Sequence, residues 1–176
     1  MSDRPLTPHL PVDGRFHHPV AVRNAIEEGR FVSVEVCETI AALAMDEEYE
    51  ALWEIADSMS KEVSVLVDAE RKVWVDIGTR SEVRLAPARG SVIPYRLWLH
   101  THPHDAYASQ TDRATLASCS MILQEAIVLG HDHMVRLQRM RAGEGPSLES
   151  EGPLSTWTSD EEVILYSDIR EGSDGR

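Results

Sequence analysis

The chain has 176 residues and a mass of 19.7 kDa, enough to bury one core without disulfide help but cramped for two full domains. Its net charge of -13 and pI near 5.0 work against direct nucleic-acid contact, which draws on clustered cations to release counterions. No apolar run reaches the length of a membrane span, and the first thirty residues lack the apolar heart of a secretory signal, so a cytoplasmic protein is expected.

Residues 1–20 are rich in proline, carry His9, His17 and His18, and have no apolar period, which predicts a flexible N-terminal arm. A single catalytic-sized domain is expected over 21–170. Within 36–59, Ile40, Leu43, Ala44, Leu52, Ile55 and Met59 recur at helical spacing with acids between them, predicting an amphipathic helix with a break near Met45–Glu47. Cys37 and Cys119 both fall in helical patterns and read as small buried hydrophobes rather than as a disulfide or thiolate zinc site.

The period then changes to two. Residues 62–78 predict two valine-rich strands joined by a tight turn at 68–71. A further strand is expected near 82–86 and an apolar one over 95–99. A polar, turn-rich run leads from there into a second helix over about 113–126, with Leu116, Cys119, Ile122 and Leu123 on one side. Residues 127–140 predict a strand, a turn at Gly130–Asp132 and another strand. Gly, Ser, Pro and Glu make 141–156 a mobile loop, a last strand lies over 161–167, and 171–176 form a polar tail. Helices interleaved with short strands predict an α+β (mixed α/β) domain, a curved sheet flanked by helices.

The chemistry concentrates between residues 100 and 112. His100 and His102 are two apart, so a strand continuing through them sends both imidazoles to one face. Asp112 opens the following helix, where free N–H groups and the helix dipole favour a carboxylate. Two histidines and one carboxylate form the three-ligand set of a catalytic metal site. The ordinary alternatives are an N-terminal helix acid at Asp112 and a capping serine at Ser109. His104 and Asp105 follow Pro103, whose fixed φ turns the chain away, and are expected in the loop wall. His131 and His133 form another pair, with a strand-end turn as the ordinary reading.

The run His100-Thr101-His102-Pro103, followed by Ser109-Gln110-Thr111-Asp112, resembles the JAMM (MPN-plus) zinc metalloprotease motif, with one residue fewer than the common pattern before the serine. That resemblance implies a JAMM/cytidine-deaminase-like sandwich, Zn2+ held by His100, His102 and Asp112, a glutamate base upstream of the histidines, and a serine donor to the oxyanion. Glu62, opening the valine-rich strand after the long helix, takes the place of the base; Glu70 in the turn and Glu82 at the later strand are its competitors. Ser109 takes the place of the donor. The implied substrate is the extended C-terminal tail of a ubiquitin-like or sulfur-carrier-like protein, cut at the amide bond that follows it. A RadC-like protein with a similar motif and a non-catalytic scaffold of the same fold are the alternatives, and a homodimer is compatible with the sequence.

Overall fold

The computed structural model describes residues 10–79, 85, 87–141, 144–159 and 162–173. Its centre is a six-stranded sheet in the order β2-β1-β3-β4-β5-β6. The strands are β1 Val63–Val67, β2 Val73–Ile77, β3 Leu97–Thr101, β4 Glu125–Leu129, β5 His133–Gln138 and β6 Val163–Leu165. Only β3 and β4 run parallel; the other neighbours are antiparallel. A parallel pair needs a crossover, and helix α4, Gln110–Cys119, provides it. The fold is thus mixed α/β with a helix-flanked sheet, as the alternating patterns predict.

Helix α1 covers Pro19–Glu27, α2 Val34–Met45 and α3 Tyr49–Met59. The expected helix over 36–59 is therefore two helices, parted at Asp46–Glu48 where Glu47 takes a positive φ of 60°. Ser33 starts α2 by accepting from the N–H of Val36 at 3.4 Å. Their apolar faces cover one side of the sheet, where Ile40, Leu52 and Ala56 meet Val63, Val65, Leu99 and Ile127. The opposite side packs Leu66, Trp98 and Val128 against Leu116 of α4, Leu148, Leu154 and Trp157. Each fully buried Leu or Ile contributes roughly 2 kcal/mol. Strands buried on both faces read as continuous apolar runs, which is why Val63–Val67 lacks alternation.

Several segments differ from expectation. Residues 10–18 run extended but are tied down: the N–H of Val12 donates to Val73 O on edge strand β2 at 2.7 Å, and His17 Nε2 lies 2.7 Å from Glu38 Oε2. Helix α1 then begins inside the expected arm, with His18 Nδ1 accepting from the N–H of Val20. The second helix starts at Gln110 and stops at Cys119, because 120–124 turn the chain into β4. In the segment 144–156, Leu148 and Leu154 are buried beneath α4, so two leucines anchor a stretch whose composition signals only a loop. After β6 comes α5, Tyr166–Ser173, where a polar tail was expected. The strand predicted near 82–86 falls outside the described residues except for Leu85, as do Glu82 and His9. Among the described residues no helix is long and apolar enough to cross a membrane.

Candidate metal centre

β3 ends with His100 and Thr101 and delivers its polar end at the carboxyl edge of the parallel pair, where open α/β sheets place their ligands. The alternation that sends Leu99 toward α2 and α3 sends Trp98 and His100 toward α4. His102 lies one residue beyond the strand but its backbone is held from two sides. Its N–H donates to Leu129 O at 2.8 Å, and its carbonyl accepts from the indole Nε1 of Trp53 at 2.7 Å. Thr101 Oγ1 also accepts from the N–H of Val63 at 2.9 Å.

Asp112 enters from α4, one turn in, locked by a reciprocal cap. The N–H of Ser109 donates to Asp112 Oδ2 at 2.8 Å, and Ser109 Oγ accepts from the N–H of Asp112 at 3.1 Å. The carboxylate spans the histidines: Oδ1 is 3.0 Å from His100 Nε2 and Oδ2 is 3.3 Å from His102 Nε2. His100, His102 and Asp112 are 1%, 8% and 6% exposed. One donor atom from each lies within 4.8 Å of the others, and this is the one such group of metal-ligating side chains among the described residues.

His100 shows whether these residues fit a cation. Its Nδ1 is buried with no hydrogen-bond partner, and its buried Nε2 lies 3.0 Å from Asp112 Oδ1 without the alignment of a good hydrogen bond. An orphaned buried polar atom costs about 1–3 kcal/mol. The donors are close without pointing at one another, which suits atoms sharing an ion with bonds of about 2.0–2.2 Å. Burial, outweighing the pull of Asp112, moves His100 below the ordinary imidazole range, so it is neutral and able to ligate. For Asp112, burial is the largest single influence and acts upward. Attraction to His100 and His102, with Ser109, outweighs it and holds the acid ionised well below the usual carboxylate range. The three residues therefore fit a divalent cation in geometry, and His100 and Asp112 fit it in protonation as well.

The walls are aromatic. Trp98 stacks on His100 with centroids 4.4 Å apart and planes 16° from parallel, while its Nε1 donates to Ser64 Oγ at 3.0 Å. Tyr107 stands edge-on to His102 at 5.0 Å and is 54% exposed, so it marks the open side.

Glu62 is buried, 8% exposed, one residue before β1. Ser64 pairs with His100 at the end of the β1–β3 ladder, and continuing that antiparallel register by two residues would bring position 62 opposite 102. Directly opposed residues share a face, and Glu62 thus belongs to the face that carries both histidines. Its backbone extends the β1–β2 ladder, donating to Thr79 O at 2.7 Å and accepting from the N–H of Gly78 at 2.8 Å. Glu70 lies in the turn at the opposite end of β1, exposed and paired with Lys72 at 2.7 Å.

His104 and Asp105 are exposed on the loop after Pro103. His131 and His133 brace that loop. The N–H of His131 donates to His104 O at 2.7 Å, and His133 Nε2 accepts from the N–H of Ala106 at 3.1 Å while its Nδ1 faces Asp132 Oδ1 at 2.6 Å. Both His133 nitrogens are engaged.

Sequence reasoning misses the supporting residues. Trp53 sits in an ordinary apolar helix pattern and Gly130 in an ordinary turn signal; only their partners, distant in the chain, reveal their part. A Cβ added to Gly130 would lie 2.5 Å from Ala106 N and 2.7 Å from His104 O, so the ligand-bearing loop rests directly on this glycine. Tyr166 holds the other side, donating its hydroxyl to Gly130 O at 2.8 Å. Gly130→Ala is expected to cost about 1–3 kcal/mol in urea unfolding, the range for overpacking, and to weaken metal binding by displacing residues 103–106. Unchanged stability and unchanged affinity would show that the loop is free to yield.

No protein-family model, curated protein or solved structure matches this chain, so the centre is read from its own geometry.

Proposed function

We propose that this chain is a zinc-dependent isopeptidase or peptidase of the JAMM kind, with a JAMM/cytidine-deaminase-like sandwich, acting on the C-terminal tail of a ubiquitin-like or sulfur-carrier-like protein. The observation that carries the reading is the buried convergence of His100, His102 and Asp112, with a His100 Nδ1 that has no partner. Zinc bound by these three supplies a Lewis acid that makes water nucleophilic near neutral pH.

The remaining steps belong to the chain. Asp112, anionic and fixed by its cap, and neutral His100 are both in the form that ligates a cation. The Glu62 carboxylate accepts the proton of the attacking water and returns it to the leaving amine nitrogen. Ser109 Oγ accepts from the backbone N–H of Asp112, and its O–H proton, turned from the Asp112 carboxylate, donates to the oxyanion forming at the scissile carbonyl, a contribution of about 3 kcal/mol. Trp98 closes the rear of the site against water, and Tyr107 faces the side where an extended tail enters.

The test is cleavage of linear fusions in which a ubiquitin-like or sulfur-carrier-like protein precedes a reporter, with and without a chelator. The reading predicts cleavage after the carrier's last residue, lost on chelation and restored by zinc. A zinc-loaded chain that leaves both kinds of fusion intact contradicts it, and favours a binding module.

A further inference from the structure

At the end of the sheet away from the histidines, a cavity of about 320 Å³ opens between the α2–α3 junction and the strands. In a chain of net charge -13, its wall gathers Arg71, Arg96 and Arg136 against only Glu47 and Glu125. The three arginines come from separate elements: the β1–β2 turn, the residue before β3, and β5. Val67, Leu97 and Ile127 make the floor apolar.

Arg71 carries an independent sign. It closes the turn after β1, with its N–H donating to Asp68 O at 3.0 Å, and adopts a φ of 68°. In such hairpin loops the left-handed position favours glycine, which takes it without strain. A long cation there, at a backbone cost, aims at a use for the side chain. Arg96 is braced through Nε on Ala69 O at 3.2 Å, a contact that does not use the terminal fork. Arg136 is ion-paired through its buried Nε with Glu125 Oε1 at 2.9 Å, without the alignment of a hydrogen bond at that atom, and its side chain hydrogen-bonds the Tyr49 hydroxyl. Tyr49, buried beside Arg136, is pushed up to about 12 by burial, with Glu47 adding to it, so its hydroxyl keeps its proton and remains a donor.

We propose that this cavity binds the phosphate group of a small monoester with a compact apolar substituent, held by Arg71, Arg96 and Arg136 above the apolar floor. Guanidinium forks from several directions suit a tetrahedral anion with three terminal oxygens better than a flat carboxylate. The site is separate from the histidine centre and stands or falls without it.

The test is calorimetric titration of the EDTA-treated full chain with phenyl phosphate, inorganic phosphate and benzoate, so that phosphate cannot report on a bound metal. Saturable binding of phenyl phosphate with a Kd of about 1 mM or tighter is expected. It should weaken about tenfold in Arg96→Gln and in Arg71→Gly, the equivalent of one lost charge-assisted hydrogen bond. Arg71→Gly separates binding from folding, since relief of the left-handed strain should leave its melting temperature equal to or above the parent's. No saturation, unchanged affinity in both variants, benzoate binding as tightly as phenyl phosphate, or inorganic phosphate binding as tightly as the ester would each overturn the proposal.

Discussion

His100→Ala is expected to weaken zinc binding by at least about 100-fold, more than is lost when a residue merely supporting a ligand is changed. The imidazole is 1% exposed and is one of the three side chains in the one group of metal-ligating residues among those described. The folded state should tolerate the change. Removing the partnerless Nδ1 relieves about 1–3 kcal/mol, against costs of the same order for the cavity left beside Trp98 and for the buried Asp112 carboxylate losing its neighbour at 3.0 Å. Competition with a chromophoric chelator measures the affinity, and urea unfolding of the metal-free protein measures the fold. An alanine variant that holds zinc as tightly as the parent would remove His100 from the site.

Glu62→Gln is expected to lower turnover by about 10²–10⁴-fold, the span ascribed to one general base, with zinc content unchanged. Glutamine keeps the shape and the buried packing, so the variant isolates the proton acceptor from the fold. The case for Glu62 is its burial and its place two residues before Ser64, the partner of His100; Glu70, paired with Lys72 in the far turn, should tolerate Glu70→Gln without loss. Steady-state assays on the cleavable fusions measure both. A fully active Glu62→Gln alongside an inactive His102→Ala would transfer the role to another carboxylate, and Glu82 would be tried next.

The legible part of this protein is what depends on near neighbours in the chain. The valine-rich pair of strands, the break between α2 and α3, and the His-x-His spacing followed by a capped acid are all set by period, turn chemistry and capping. Asp112 shows how two readings merge: it is an ordinary helix-start acid and it also faces both imidazoles, since the cap uses Oδ2 from one side only. The rest depends on contacts across long separations. Trp53 reaches His102 from forty-nine residues away, and Tyr166 reaches Gly130 from thirty-six, so neither local pattern reveals them. Leu148, Leu154 and Trp157 lie in a stretch dominated by loop-forming residues, and their burial comes from the face of α4 that they cover. Helix α5 follows a strand pattern without a clear boundary signal, which is why its polar sequence reads as a tail.

The account rests on a single ion shared by His100, His102 and Asp112, and zinc X-ray absorption on the purified chain tests it most directly. One zinc per chain is predicted, with nitrogen and oxygen neighbours at about 2.0–2.2 Å and no sulfur shell. A chain that takes up no zinc, or whose zinc carries sulfur neighbours at about 2.3 Å, would contradict it.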